Sequence, residues 1–494
     1  MIIPMEAKKP LTIVVFGATG DLFQKKLIFA LFNLYMGGFL PKQFKLIGFA
    51  RRPLSHEDFR IYIKEILQTK SKDLARIDMF LTYAFYERGD MSLEQSFKDL
   101  SESLGRYDTD FGVCSNKMFY LAVPPILYKT ILKHISASGL TMSCIPDLLS
   151  FVGLRKSQSF RAPGTRQEKQ AWTRVLIEKP FGNNLIEARS LDTLLGKLFE
   201  ENQIFRIDHY LAKETIQNIL SFRFSNALFE PLWNRKFIEQ IEIKFLESNV
   251  VGNRGSSYDD VGALRDVGQN HILQILALIS MENPDRLESE LIRTERARVL
   301  KKVRIYKGSK MVRAQYEGYR QEKGVVSSSQ TESYFRLALE VKNSRFRGVP
   351  FYIESGKALN ESKVEVTIHF KAPKEFCVCP IEHKEGHQNI LTFSIQPNEA
   401  ISLLFWAKAP GFNFGLEPQN LSFSQARDTI QRKIPDAYER VLYDAIIGDQ
   451  TLFTNTAEVL AEWGIIMPVL NALKKTPLKH YKQNSKPGDF IAKI

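Results

Sequence analysis

Cysteine is scarce in this chain. There are four in 494 residues, Cys114, Cys144, Cys377 and Cys379. No two stand in a CxxC pair, and Cys377-Val-Cys379 brings too few ligands for zinc, which excludes a metal-finger or disulfide-stapled fold. A chain of this length buries enough apolar surface without staples, so the thiols are expected to be reduced, in a reducing compartment. Long apolar runs are also missing, which argues against a membrane partner. The opening MIIPMEAKKPLTIVVFG has no charged region ahead of an apolar one, so it is not expected to be a secretory leader. A full GxGxxG, a nucleic-acid-binding module and internal repeats are absent too.

What is present is an ordinary globular balance, with 44% hydrophobic and 25% charged residues. The length suits roughly two to four domains. Sixty-eight basic against 55 acidic side chains leave a net charge of +13. That excess suits nucleic acid, acidic lipid or phosphorylated metabolites, or serves solubility alone. The basic residues are dispersed along the chain, so no nucleic-acid partner is expected.

Residues 10–207 read as alternating strands and helices. LTIVVFG, FKLIGFARR, SNKMFYLAV and TRVLIEKPF are apolar strand runs, and helical patterns follow the first three. Such strands imply a parallel sheet covered on both faces. Beyond Arg206 a helical stretch leads to period-two strands through Ile241, Ile243 and Phe245, then Phe335 to Val341, Val364 to Phe370 and Ile401 to Phe405, which predict an antiparallel sheet. Helix is predicted from Ala437 to Leu473, and a loose basic tail after Lys474. The expected fold is an N-terminal Rossmann-like doubly wound α/β domain, residues 1–207, followed by a large α+β domain, residues 208–494, with an extended, mainly antiparallel sheet. Residues 145–171, rich in Pro, Gly, Ser and basic side chains, read as an inserted surface loop.

Gly17-Ala18-Thr19-Gly20-Asp21-Leu22 joins the first strand to the first helix. Small residues let the backbone approach a pyrophosphate, and the helix start offers free N–H groups. A tight turn with no ligand would look the same. The second strand ends in Arg51-Arg52, where an NAD site usually has an acidic residue, and guanidinium groups there suit the 2′-phosphate of NADP. Lys26 is compatible with phosphate, sugar or solvent.

In RIDHYLAKE, a helix starting near Tyr210 would cluster His209, Tyr210 and Lys213 around one turn, three donors for a dianionic phosphate. A polar helix cap with a core tyrosine fits equally. His271, in RDVGQNHILQ, stands in an otherwise apolar helical run, where a histidine is commonly a satisfied core residue. It is also the side chain best suited to take a proton from an alcohol near neutral pH. Asp208 is the candidate carboxylate to fix its tautomer and stabilise the imidazolium.

These segments resemble the glucose-6-phosphate dehydrogenase family. GATGDL is similar to its GASGDL turn, VLIEKPFG to its EKPFG segment and RIDHYLAKE to its RIDHYLGKE signature. NALFEPLWNR, DVGQNH, SGKALN and DAYERVLYD also match, so the resemblance covers nearly the whole chain. It implies oxidation of glucose 6-phosphate at C1 with NADP as cofactor, no metal, and a homodimer or homotetramer in the cytoplasm. His271 would be the general base and Asp208 its partner. His209, Tyr210 and Lys213 would hold the phosphate, and Glu247 and Asp266 the sugar hydroxyls. Lys179 would lie between substrate and nicotinamide, followed by a structurally special bond to Pro180. Lys357 would reach the substrate, and Tyr128 would line the cofactor site beside Gly17–Leu22, Lys26 and Arg51.

Three departures stand out. Phe23 replaces a small residue and is expected to crowd the glycine turn. Ser362 stands where a second basic residue is common, with Lys363 beside it. The 145–171 insertion is longer than the family pattern. A homologue that binds NADP or sugar phosphate as an inactive sensor is the alternative reading, against which the retained His271, Asp208 and Lys213 argue.

Overall fold

The computed structural model describes residues 9–142, 171–373, 387–412, 415–424 and 434–491. The chain divides into two compact units. The first holds Met1–Gly182, Ile186–His209 and Pro435–Thr454, and the second holds Asn183–Leu185, Tyr210–Ile434 and Asn455–Ile494.

In the first unit Leu11–Phe16 (β1) is buried at every position. A strand apolar on both faces must lie mid-sheet, covered above and below. β1 pairs in parallel with Phe44–Ala50 (β2), Leu11 opposite Phe44, and β2 pairs with Ala84–Arg88 (β3). On its other side lie Asn116–Leu121 (β4), Thr173–Glu178 (β5) and Ile204–Ile207 (β6), all parallel, giving the order β6-β5-β4-β1-β2-β3. The order reverses between β1 and β4, and in such sheets the ligand crevice lies at the carboxyl ends of the strands there. Ile28–Met36 (α1), His56–Gln68 (α2), Leu74–Leu81 (α3), Glu94–Phe111 (α4), Tyr128–Ala137 (α5) and Leu185–Leu198 (α6) lie between the strands. α2 shows why: Ser55 and Asp58 form a capping box, and Phe59, Ile63 and Leu67, four apart, form its buried face.

The first unit also takes back a late segment. The helix predicted as one stretch from Ala437 to Leu473 is two helices, Ala437–Ile447 and Thr456–Leu473, separated by the left-handed Gly448. Between them Phe453–Thr454 pairs antiparallel with β6, as a seventh strand among the described residues. Asn33 donates to Glu439 at 2.6 Å, and the Arg174 guanidinium donates to the carbonyls of Ala445 and Ile446 at 2.8 Å each. These non-local bonds move residues 435–454 out of the domain to which a division at residue 207 assigns them.

The second unit is built on one sheet. Its strands are Ile238–Leu246 (β7), Val303–Ile305 (β8), Val312–Tyr316 (β9), Tyr334–Val341 (β10), Phe351–Gly356 (β11), Lys363–Phe370 (β12), Ile390–Gln396 (β13), Ala400–Lys408 (β14) and Leu416–Ser424 (β15). Their order is β15-β14-β13-β12-β7-β11-β10-β9, with β8 also on β10. Most pairs are antiparallel, but β7 and β11 run parallel, Leu246 opposite Gly356. Period-two alternation is clear in β13, where Leu391, Phe393 and Ile395 are buried and the residues between them are not.

The tail after Lys474 is not loose. Leu478–Tyr481 pairs in parallel with β9, and Tyr481 and Phe490 stack at 4.6 Å inside a cluster with Tyr316 and Tyr334. Lys474, Lys475 and Lys482 face solvent while the aromatic rings face inward, so basic composition concealed an ordered segment. Helix Thr456–Leu473 is long and apolar enough to cross a membrane by length and composition alone. Its two buried carboxylates are matched within the unit: Arg296 donates to Glu458 at 2.7 Å and Gln274 to Glu462 at 2.6 Å.

Cys114, expected as a reduced thiol, is disulfide-bonded. The compartment inferred from cysteine usage loses that support, because spacing along the chain does not report which thiols the fold brings together. Cys144, Cys377, Cys379 and residues 145–170 of the inserted loop lie outside the described residues.

Candidate functional site

The glycine turn opens a cavity of about 520 Å³ at the carboxyl ends of the first unit's strands. Gly17, Thr19 and Gly20 line it together with Arg51 and Arg52 after β2, Asp90 after β3 and Leu127 ahead of α5. Gly17 has φ +87°, and a Cβ there would stand 2.4 Å from the Ala122 carbonyl oxygen, so only glycine fits. Ala18 is buried below the turn, Asp21 pairs with Lys25 at 2.6 Å on the surface, and Leu22 leads into the helix. Lys26 is exposed. Phe23 is fully buried and stacks on Phe59 at 6.0 Å, and the turn before it is formed, the Gly20 N–H donating to the Gly17 carbonyl at 2.9 Å. Tyr128 is buried, and its hydroxyl donates to the Glu178 carbonyl at 2.9 Å. A backbone cradle with two guanidinium groups at its rim suits a dinucleotide carrying an extra phosphate.

A second group of the first unit gathers where β5 and β6 end. Lys179–Pro180 is a cis peptide bond. Before it, the Tyr120 hydroxyl donates to Glu178 at 2.5 Å, and Tyr438 also bonds that carboxyl. Burial is the main cause that pushes Glu178 up to about 7. The Tyr120 bond and the Lys179 charge oppose that rise, and the nearby Asp208 carboxylate adds to it. Asp208 is 2% exposed, and the His209 imidazole stacks on Tyr438 at 5.9 Å.

In the second unit His271 lies on Leu264–Ile272, a helical stretch with wide, i→i+5 turns that continues as an α-helix through Ser280. At 3.6 residues per turn Asp266 and His271 would point about 140° apart. Wider turns narrow that angle, and such turns are frequent at functional sites. His271 is 2% exposed, with the Tyr210 ring 4.3 Å from its own and the Phe245 ring 6.1 Å away and nearly parallel. The Tyr210 hydroxyl donates to Gln396 at 3.2 Å, and the Lys213 ammonium stands 5.6 Å from the Tyr210 ring centre. The helix expected near Tyr210 begins at Glu214 instead. Lys213 is extended and its N–H bonds the Tyr210 carbonyl, so residues 209–212 form a turn rather than a first helical turn.

Glu247 and Lys357 follow the paired ends of β7 and β11 and form an ion pair. Asp266 lies 3.9 Å from the Lys357 ammonium and 3.8 Å from Arg254. Phe245 and Glu247 share one face of the chain leaving β7, so the strand connects the His271 group to this carboxylate–lysine group. Ser362 adjoins them: its hydroxyl accepts from the Ser248 N–H at 2.9 Å. Lys363 pairs with Glu365 at 2.8 Å instead of taking the missing basic role.

The structure thus brings Tyr210, Lys213 and His271 together, and likewise Glu247, Asp266 and Lys357, within the second unit. Asp208, His209 and Lys179 belong to the first. Sequence reasoning missed Glu178, Tyr120 and Tyr438. A charged residue closing the apolar run VLIE was the available signal for Glu178, whereas nothing local marks the tyrosines. Among the described residues no group of His, Cys, Asp or Glu is placed to hold a metal ion.

Two family models match, the glucose-6-phosphate dehydrogenase NAD binding domain over residues 14–218 and the glucose-6-phosphate dehydrogenase C-terminal domain over residues 220–492. The chain is 36% identical over 493 residues to glucose-6-phosphate 1-dehydrogenase of Chlamydia muridarum, covering 95% of this chain and 92% of that protein. It is 36% identical over 485 residues to the cytoplasmic glucose-6-phosphate 1-dehydrogenase 6 of Arabidopsis thaliana, covering 96% and 89%. A solved glucose-6-phosphate dehydrogenase in complex with its substrate glucose-6-phosphate superposes with a TM-score of 0.86 at 31% identity, over 98% of this chain and 97% of that one.

Proposed function

The chain belongs to the glucose-6-phosphate dehydrogenase family, an oxidoreductase family with a nicotinamide-dinucleotide domain, and on that premise we propose that it oxidises glucose 6-phosphate at C1 with NADP. The product is 6-phosphogluconolactone, and the reaction is the first step of the oxidative pentose phosphate pathway. The observation that carries this reading is the Tyr210 ring set against a buried His271, with Lys213 beside that ring and Asp266 on the same helical stretch as His271. His271 takes the proton of the C1 hydroxyl as the C1–O bond becomes a carbonyl. The bound NADP supplies the hydride acceptor. His209, Tyr210 and Lys213 hold the phosphate far from C1, which fixes C1 against the base. Glu247 and Asp266 take the sugar hydroxyls, Lys357 reaches the substrate, and Lys179 is a further substrate- and cofactor-binding residue. Gly17–Leu22, Lys26, Tyr128 and Arg51 form the cofactor site, with Arg51 reading the 2′-phosphate. The first unit carries the cofactor cavity, and the second carries most of the substrate residues and a homodimer or homotetramer contact. The protein works in the cytoplasm.

The test is NADPH formation on addition of glucose 6-phosphate, with His271→Asn beside the native protein. General-base removal lowers kcat by about 10²–10⁴-fold with little change in KM. A variant that keeps more than half its turnover removes His271 from the mechanism. A native protein that binds both ligands without turnover is a sensor instead.

A further inference from the structure

The C-terminal segment closes on the chain that carries Lys357. The Tyr481 hydroxyl donates to the Lys357 carbonyl at 2.6 Å and shares a 3.0 Å bond with the Ser333 hydroxyl. Three residues on, the Asn484 N–H donates to the Ala358 carbonyl at 2.8 Å, and the Asn360 N–H bonds Ser485 at 3.2 Å. The Lys357 N–H also donates to Ser333 and the Ala358 N–H to Asn249, both at 3.0 Å. Residues 357–360 are therefore held through the backbone by three separate segments of the chain. Ala358 has φ +54°, a left-handed conformation that a non-glycine residue keeps only when its neighbours over-determine it.

Tyr481 is itself seated firmly. It is 3% exposed, stacked on Phe490, and on a strand paired to β9 with Tyr481 opposite Tyr316. Its hydroxyl bond is aimed at a main-chain oxygen, so it fixes where Lys357 stands and not the charge that Lys357 carries. The ammonium in turn sits between Glu247 and Asp266. A shift of that backbone would move the ammonium relative to both carboxylates.

We infer that Tyr481 is a positioning residue for substrate binding, and that the strand Leu478–Tyr481 is a strap which sets the Lys357 side chain against Glu247 and Asp266. This rests on Lys357 as a substrate-binding residue. The expected effect is on the sugar, because Tyr481 bonds the main chain of a substrate-binding lysine.

Steady-state kinetics of Tyr481→Phe and Lys357→Ala, with glucose 6-phosphate and NADP varied in turn, test it. Tyr481→Phe keeps the ring and its stacking and loses one hydrogen bond. Its KM for glucose 6-phosphate rises roughly fivefold, the size expected for one neutral bond, while kcat stays within about twofold and the KM for NADP is unchanged. Ser333→Ala, which loosens the same hydroxyl, moves the same KM in the same direction by less. An unchanged glucose 6-phosphate KM in Tyr481→Phe, while Lys357→Ala raises it, overturns the inference and leaves Lys357 in its role. Equal rises in both KM values, or a fall in kcat alone, mean a merely structural tyrosine and overturn it too. An unchanged KM in Lys357→Ala removes Lys357 from the substrate site, and the inference with it.

Discussion

Glu178 is a carboxyl at the end of a buried strand, held by the Tyr120 hydroxyl and facing Lys179, Asp208 and Tyr438. Burial lifts it to about 7, whereas an unfolded glutamate titrates near its ordinary value of about 4.3. Between those two values the folded protein holds a proton that the unfolded chain has released. Stability from this group is therefore complete below about pH 4.3 and is lost as pH rises through about 7. Glu178→Gln keeps an acceptor oxygen for Tyr120 and cannot ionise. Relative to the native protein it should gain stability, on the order of 2–3 kcal/mol, as pH is raised from about 5 to 8. Thermal melts of both proteins across that range measure it, and a constant difference would show that Glu178 does not change charge there.

Among the elements, the end of β2 makes the sharpest claim about the cofactor. Arg51 and Arg52 line the nucleotide cavity opposite Gly17 and Gly20. Arg51→Ala should raise the KM for NADP about tenfold or more, the loss expected of a charge-assisted bond, with a smaller change for NAD. Parallel rises for both cofactors would show that Arg51 does not read the 2′-phosphate. β1 and its glycine turn were legible because their signal is local: an apolar run, a φ-positive glycine and a helix start lie within a few residues. β3 was not, since Ala84–Arg88 is a short edge strand in which only Ala84 and Tyr86 are well buried. The helical run after Ala437 looked continuous because its apolar pattern continues past Gly448; the left-handed Gly448, the capping box of Asn455 and Glu458, and pairing with Ile207 and Arg206 break it. Tyr210, Lys213 and His271 were legible as residues, but the turn before Glu214 and the wide turns around His271 depend on tertiary packing that no periodicity reports. The hold of Tyr481 on Lys357 was hidden for the same reason, beneath a basic composition.

For the molecule as a whole, the charge of +13 bears on encounter with an anionic sugar phosphate. A basic surface raises the local concentration of such a ligand, and salt screens that attraction within about 10 Å at 0.1 M. kcat/KM for glucose 6-phosphate should fall several-fold between low and high ionic strength, with kcat little changed. A flat salt profile would assign the basic excess to solubility.

The returning segment Pro435–Thr454 has a consequence for how the protein comes into being. A nascent chain that has emerged only as far as His209 carries β6 as a bare edge, Asn33 without Glu439, and Arg174 without its two carbonyls. The nucleotide-binding half can begin to condense early on the ribosome, but it is finished only after translation has passed residue 454. Most of the larger half is encoded between its parts, so no single cut of the gene yields the smaller half whole.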